Sequence, residues 1–345
     1  MVRAILEAVY TLEDNGMHNA FTAMATWRGK IWVGYRSAVS HGITPPGVVN
    51  ILAGDSGPQS LQQHHRFHLP HTDLRDPRFL ATKDALFCFM GGYNAGSSER
   101  GLSSNSAENI IRTYCAHTVN GTTWTPPVPI LRPNYWGWGM LYSEVFRQGK
   151  NTSLYYLAAY HTGAHEETSS LHLYLGISPY RLLPLAVMYD GAGRVEDAPH
   201  YSPSEPVLFA INNYTMGCYA RTEGSMDLGV SINPFQDWRW HRTPYTIHPS
   251  SVYTMANATR IVAGRHISQK NKHEYPQSTV QLFTAQAQYL SPLLTLPGKG
   301  DCAYIGITQG LRVENEIYAS YYAQSLTESF ALPGSNIYIA TVSLL

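Results

Sequence analysis

Apolar and polar positions along the chain fall into short runs of four to eight residues, each closed by Gly, Asn, Pro or Asp. Ala20 to Trp27, Ile31 to Tyr35, Leu86 to Gly91, Leu154 to Tyr160 and Ile317 to Tyr322 are such runs, and their length and flanking turn residues predict β-strands. No stretch between them has the spacing of an amphipathic helix. Taken four at a time, the runs form units that begin near His18, Asp73, Trp138, Ser202, His248 and Asp301. A recurrence of roughly fifty to sixty residues suits four-stranded blades. The expected fold is therefore all-β: a single domain over residues 1–345, built as a six-bladed β-propeller of four-stranded antiparallel blades. The last unit is one strand short, so the run Ile337 to Leu345 is expected to complete a blade with amino-terminal strands, closing the ring and covering open backbone edges.

Composition supports the strand reading. Aromatic residues make up 12% of the 345 residues, with 24 tyrosines, 28 glycines, 21 prolines and only 14% charged side chains, an alphabet of strands and turns. The 24 basic and 24 acidic side chains cancel, which argues against nucleic acid or anionic lipid as a partner. The longest apolar stretches, such as Leu290 to Leu296 with Pro292 inside it, are too short to cross a bilayer. Met1 to Gly16 lacks the pattern of a secretory leader, and the compartment stays open. Cys88, Cys115, Cys218 and Cys302 have no metal or redox spacing and are expected to be buried thiols. His64, His65, His68 and His71 crowd one run, but a second ligand set is missing, so neither a metal nor a cofactor is expected.

The segment Val119-Asn120-Gly121-Thr122-Thr123-Trp124 resembles the Asp-box turn of sialidase-type propellers, with Asn120 in the Asp position. Gly54-Asp55-Ser56-Gly57 and Gln236-Asp237-Trp238-Arg239-Trp240 are weaker echoes. Asn and Gly supply the backbone angles of a tight turn while an indole covers the blade below, so these segments are structural.

Six further places, in order and evenly spaced, carry a wider resemblance. They are His18-Asn19-Ala20-Phe21 with Gly34-Tyr35-Arg36; Asp73-Leu74-Arg75-Asp76-Pro77; Ser204-Glu205-Pro206-Val207 with Tyr219-Ala220-Arg221; Gly264-Arg265-His266; Gly300-Asp301-Cys302-Ala303-Tyr304; and Ile337 to Val342. From about His18 to Leu345 the chain resembles the exo-sialidase-like superfamily of glycosidases. That family grips a substrate carboxylate with three arginines and uses a glutamate-activated tyrosine as nucleophile and an aspartate as acid/base. The resemblance implies that Arg221 and Arg265 are the second and third arginines, Glu205 the activating carboxylate and Tyr304 the nucleophile. Two positions depart from it. Asn19 stands where the first arginine would be, and the loop from Ser37 to Gly42 offers Ser40 and His41 but no carboxylate. An amide in place of guanidinium loses both charge and fork geometry, which points away from sialic acid itself.

The residues have their own chemistry. A tyrosine, with an ordinary pKa near ~10, reacts at neutral pH only when a neighbour takes its proton or a cation stabilises the phenolate; Glu205, Arg221 and Arg265 could do both, although Tyr304 could equally be one tyrosine packing a blade. Arg75 and Asp76 open a unit before Pro77, which is expected to hold Asp76 extended; they form either a pocket wall or an ion pair fastening two blades. In a dry pocket Asp76 could serve as acid/base. His41, and after it His18, could exchange a proton near neutrality. Tyr135, Trp136 and Trp138 lie in a Pro/Gly-punctuated segment, read either as a sugar-stacking rim or as blade packing. Asp301 and Tyr322 could line the channel.

The function expected first is an exo-acting glycoside hydrolase that cleaves a terminal acidic or highly polar sugar from an oligosaccharide. Tyr304 and Glu205 form the nucleophile pair, Asp76 or His41 the acid/base, and Asn19, His18, Arg75, Arg221, Arg265, Trp138, Asp301 and Tyr322 bind substrate. A polysaccharide lyase acting beside a uronate carboxylate and a non-catalytic glycan-binding propeller are the alternatives.

Overall fold

The computed structural model describes residues 2–43, 45–94, 110–147, 150–161, 169–190, 203–222, 225–255, 257–268, 277–286, 289–311, 313, 315–326 and 334–345. Its strands form six four-stranded antiparallel sheets. The amino-terminal strand β1 (Ala4–Glu13) stands apart from the first blade, which is made of β2 (His18–Trp27), β3 (Lys30–Ala38), β4 (Val48–Gly54) and β5 (Gln62–Phe67). The second blade is β6 (Thr72–Ala81), β7 (Leu86–Asn94), β8 (Ile110–Thr118) and β9 (Val128–Pro129), and the third is β10 (Tyr135–Arg147), β11 (Lys150–His161), β12 (Ser170–Ser178) and β13 (Arg181–Asp190). The fourth comprises β14 (Ser204–Asn212), β15 (Thr215–Thr222), β16 (Ser225–Ile232) and β17 (Arg239–Arg242), and the fifth β18 (Ile247–Thr254), β19 (Arg260–Ser268), β20 (Gln277–Gln286) and β21 (Tyr289–Leu296). The sixth blade is β22 (Lys299–Gln309), β23 (Glu316–Ser325) and β24 (Asn336–Leu344), with β1 as its outermost strand. Pairing of β1 with β24, from Ala4 opposite Leu344 to Glu13 opposite Ile337, closes the ring as expected. The observed blade starts fall within three residues of the expected ones; Ser202, the expected start of the fourth unit, lies outside the described residues.

Each blade twists and packs face to face on the next, so the core is a ring of layers between blades rather than one central mass. Ile31, Tyr35, Tyr318, Tyr322 and Ile339 fill the layer between the sixth and first blades, and Trp32, Ile51, Leu86 and Cys88 that between the first and second. The four cysteines are buried and form no disulfide. His64 and His65 sit on an outermost strand against Trp32 and Trp124. The Asn120 turn follows β8: Asn120 Oδ1 accepts the amides of Thr122 and Thr123 at 2.9 and 3.0 Å, Gly121 takes φ +74°, and Trp124 packs edge-on to Trp32. The segments at Gly54 and Gln236 occupy the equivalent connection, from third to fourth strand of their blades. Among the described residues no helix is long and apolar enough to cross a membrane.

The first strands of all six blades touch one another around the axis. Each carries an irregularity in its pairing with the second strand at a corresponding place: between Ala20 and Ala23, Arg75 and Arg78, Gly137 and Gly139, Ser204 and Val207, Pro249 and Ser251, and Ala303 and Gly306; the fourth and sixth blades have a second one each, between Ala210 and Asn212 and between Lys299 and Cys302. At four of these bulges a non-glycine residue lies in left-handed backbone: Phe21 (φ +60°), Asp76 (+51°), Glu205 (+49°) and Tyr304 (+46°). A bulge leaves one residue outside the ladder and re-aims its side chain. Asp76 is therefore not extended as Pro77 led us to expect; the bulge overrides the local preference.

Candidate active site

Three of those bulged residues bring the central chemistry together. Tyr304, from the sixth blade, donates its hydroxyl to Glu205 Oε1 of the fourth at 2.7 Å, and Arg221 NH1 donates to the same oxygen at 2.8 Å. Burial, reinforced by the charges of Glu205 and Asp76, pushes the Tyr304 phenol well above its ordinary value, while Arg221 and Arg265 pull the other way. The resting group is a phenol hydrogen-bonded to a carboxylate, and the proton has a short path to Glu205. Phe21 meets the Tyr304 ring edge-on at 5.1 Å, Tyr322 stacks at 6.2 Å, and Trp138 lies at 5.6 Å, so the nucleophile candidate sits in a rigid aromatic collar.

Asp301, at the start of the same inner strand as Tyr304, is a second hub. Its Oδ1 accepts from Arg265 NH1 at 3.4 Å and from Tyr322 OH at 3.1 Å, while Oδ2 faces His41 Nδ1 at 3.5 Å and His18 Nε2 at 3.9 Å. Burial would raise its pKa, but hydrogen bonding to His18 and His41 and the field of Arg265 hold it well below the usual carboxylate range. His41 is mostly exposed, with its ring edge-on to Phe21 at 5.4 Å. Arg265 also donates through Nε and NH2 to His248 Nδ1, at 3.3 and 2.9 Å. Burial and the charges of Arg221 and Arg265 drive His248 down to about 2, leaving it a neutral acceptor that orients Arg265.

Asp76 has a buried carboxyl in the floor, pushed up to about 6 by burial against the pull of Arg75 and Arg78. Arg78 lies over the Trp138 ring at 4.2 Å, 5.8 Å from the Tyr304 ring, and donates to the Thr22 carbonyl at 3.2 Å. Burial lowers its pKa against the charges of Asp76 and Tyr304.

Glu205, Arg221, Arg265 and Tyr304 thus converge at one end of the axis, together with Asp301, Asp76, His41 and His18. Four residues expected to bind substrate are placed otherwise. Asn19 is fully buried and donates to Asn15 Oδ1 at 2.8 Å, while His18, next to it on the regularly paired strand, faces Asp301. Trp138 is 3% exposed and packs beneath Arg78 and Tyr304, so Trp136 and Trp138 are core of the third blade's inner strand and not a rim. Arg75 is occupied by Asp73 and by the carbonyls of His41 and Gly42. Tyr322 is wholly buried, stacked on Tyr304 and hydrogen-bonded to Asp301. Sequence reasoning missed His248, Arg78 and Arg36; the last stands in the quoted Gly34-Tyr35-Arg36, where an arginine closing a strand beside an expected pocket was the available signal.

Among the described residues, His18, His41 and Asp301 bring three possible ligand atoms within 4.8 Å of one another and are the group that could hold a metal. The donor set fits poorly. Ligation through His18 Nε2 would leave its proton on Nδ1, facing the Arg36 N–H at 3.5 Å, and Arg265 already holds Asp301. A histidine that ligates metal ordinarily donates its second N–H to an acceptor.

No family model matches the chain, and no curated protein matches it. Solved structures do. A protein of unknown function from Dyadobacter fermentans aligns with a TM-score of 0.75 and 13% identity over 99% of both chains. A sialidase from Trypanosoma rangeli, in complex with the inhibitor DANA, aligns with a TM-score of 0.65 and 9% identity; the match covers 99% of this chain and spans 59% of the sialidase. An α-L-arabinofuranosidase from Lactobacillus brevis aligns with a TM-score of 0.50 and 12% identity over 80% of this chain and 93% of that one. At such identities the likeness establishes the fold, a six-bladed propeller shared with carbohydrate-active proteins.

Proposed function

We propose that the chain is a retaining, exo-acting glycoside hydrolase that removes a terminal acidic or highly polar sugar, with Tyr304 as nucleophile and Glu205 as the base that activates it. The observation that carries this reading is the 2.7 Å hydrogen bond from Tyr304 to a carboxylate that Arg221 also pairs. Both residues stand on strained backbone at equivalent bulges of the fourth and sixth blades. Strain of this kind concentrates at functional sites. The structurally similar Trypanosoma rangeli sialidase has been captured as a covalent intermediate with 2,3-difluorosialic acid, which lends the two-step course support by analogy.

In the first step Tyr304 Oη attacks the anomeric carbon while its proton passes to Glu205 Oε1, and the glycosidic oxygen leaves with a proton from His41. Asp301 faces the other side of that imidazole and steadies its charge. In the second step neutral His41 takes a proton from water as the water attacks the same carbon; the tyrosyl–carbon bond breaks and Glu205 returns the proton to Tyr304. Arg221 and Arg265 favour a substrate bearing an anionic or strongly polar group.

The test is incubation with 4-methylumbelliferyl glycosides of uronic, sialic and neutral sugars, followed by mass spectrometry after exposure to the matching 2-fluoro sugars. Release of fluorophore with a sugar adduct on Tyr304 is expected; release without an adduct in any trapped state would sink the nucleophile assignment. One observation favours a second reading. Imidazoles stand where the resembled glycosidases carry a carboxylic acid, and a histidine or tyrosine base beside an arginine-paired uronate is what a lyase needs. A lyase product absorbs in the near ultraviolet, whereas a hydrolase product does not.

A further inference from the structure

The segment that carries His41 joins β3 to β4 without strand pairing of its own, yet its backbone is tied down by two arginines from different blades. Arg36, fully buried, donates NH1 to the Ser40 carbonyl at 2.9 Å and NH2 to the Gly42 carbonyl at 2.5 Å. Arg75 reaches over from the second blade and donates NH2 to the carbonyls of His41 and Gly42 at 3.3 and 3.4 Å. Both guanidiniums are fixed by one carboxylate. Asp73 Oδ1 accepts from Arg36 Nε and NH2 at 3.0 and 2.8 Å, and Oδ2 from Arg75 Nε at 2.7 Å. Asp73 Oδ1 also accepts the amide of Gly47, at the far end of the same segment, at 2.6 Å. Gly47 is bound to this arrangement, since a Cβ there would lie 2.7 Å from Arg36 Nε and from Asp73 Oδ1.

Asp73 between the two guanidiniums, with Asp76 and the Tyr93 ring adding to the field on Arg75, offsets the buried charge, but that pairing does not set where the remaining donors point. Those donors are aimed at the backbone around His41: Arg36 takes the Ser40 and Gly42 carbonyls, and Arg75 adds that of His41 itself and a second bond to Gly42. We propose that Arg36, Asp73 and Arg75 form a positioning clamp that holds His41 against Asp301, so that the clamp governs turnover more than substrate affinity. This rests on the reading of His41 as acid/base. Bidentate forks set orientation as well as distance, and a general acid displaced by about 1 Å loses on the order of a hundredfold in rate.

The experiment uses the full chain with Arg36→Lys and Arg75→Lys, each keeping the charge and losing the fork, and His41→Gln as a reference. Arg75→Lys is the variant to rely on if Arg36→Lys does not give a wild-type circular dichroism spectrum. Backbone amide exchange is followed for the peptide spanning 39–47, and kcat and KM are measured on the glycoside that the wild type turns over. The expected result is exchange in that peptide at least tenfold faster, kcat down at least tenfold and KM within threefold. Unchanged exchange in both lysine variants overturns the clamp whatever the activity. Faster exchange with unchanged kcat overturns its role in turnover. Unchanged kcat in His41→Gln overturns the acid/base reading itself, and is distinguished by leaving the exchange result for the lysine variants intact.

Discussion

Tyr304→Phe removes one oxygen and leaves every ring contact in place, so it separates a catalytic hydroxyl from a packing residue. In the folded protein the change deletes the 2.7 Å bond to Glu205, while Arg221 still pairs that carboxylate at 2.8 Å. A hydrogen bond to a charged group contributes about 1.5–3 kcal/mol, but the variant also no longer desolvates a hydroxyl. The net change in stability should stay within about 1.5 kcal/mol, and the Phe ring keeps its neighbours Phe21, Trp138 and Tyr322. Turnover should behave differently. A hydroxyl that only touches substrate is worth about 1 kcal/mol, less than tenfold in rate. Loss of the attacking atom removes a whole step and should lower kcat by at least about a thousandfold, equivalent to more than about 4 kcal/mol. Glu205→Gln should depress the same step, and the double variant should be little worse than the worse single one, because groups that act as a unit fail together. The assay is steady-state turnover of the three variants on the cleaved glycoside, with thermal melts alongside. A Tyr304→Phe enzyme within tenfold of wild type, or strictly additive effects, would refute the nucleophile pair and leave His41 with Asp76 as the acid/base chemistry to pursue.

Arg221→Ala should raise KM or abolish turnover with only a small drop in melting temperature, since the Arg221 side chain is one-third exposed and its pair with Glu205 is partly screened; unfolding with intact binding per folded molecule would make Arg221 structural. For Asp76, burial raises the folded pKa from 3.8 to about 6. The carboxyl is neutral in both states below pH ~4, and its contribution to stability is lost as the pH rises through about 6. Asp76→Asn should therefore melt higher than wild type at pH 7, by up to about 3 kcal/mol in stability, with the gap closing below pH ~4; an equal gap at both pH values in calorimetry would contradict the buried-charge account. Deleting residues 2–13 exposes the edge of β24 and uncovers the packing of Ala4, Leu6 and Val9 on the sixth blade. Self-association and a lower melting temperature in light scattering and calorimetry are expected, and an unchanged monomer would show that ring closure does not depend on β1.

The architecture was legible because strand length, turn residues and a blade-sized recurrence all point the same way. Grouping by four placed units at His18, Asp73, His248 and Asp301, within two residues of observed strand starts. What could not be read were outermost strands such as Val128–Pro129 and Arg239–Arg242, which are short and largely exposed and therefore carry no apolar alternation. In the site, the ordered motifs pointed to Tyr304, Glu205, Arg221 and Arg265 as a group, and the geometry brings them together. Asn19 was placed by the resemblance alone and Trp138 by the Pro/Gly-punctuated segment around it, and neither signal tells which face of the inner strand a side chain takes; both are buried.

The bulges themselves left no mark in the sequence, since a left-handed position is ordinarily flagged by glycine, and here Phe21, Asp76, Glu205 and Tyr304 occupy it. Left-handed backbone costs a non-glycine residue about 1–2 kcal/mol. Glycine would relieve that cost at each position, yet it would delete the carboxylate, the phenol or the ring that the bulge aims inward. Fold stability alone therefore argues against these four residues, and it does so at equivalent points of four blades. The bulge itself recurs in all six inner strands; what marks these four is the non-glycine residue held in left-handed backbone. The coincidence of strain with reactive side chains is thus an argument for a working site that does not depend on any resemblance to known enzymes.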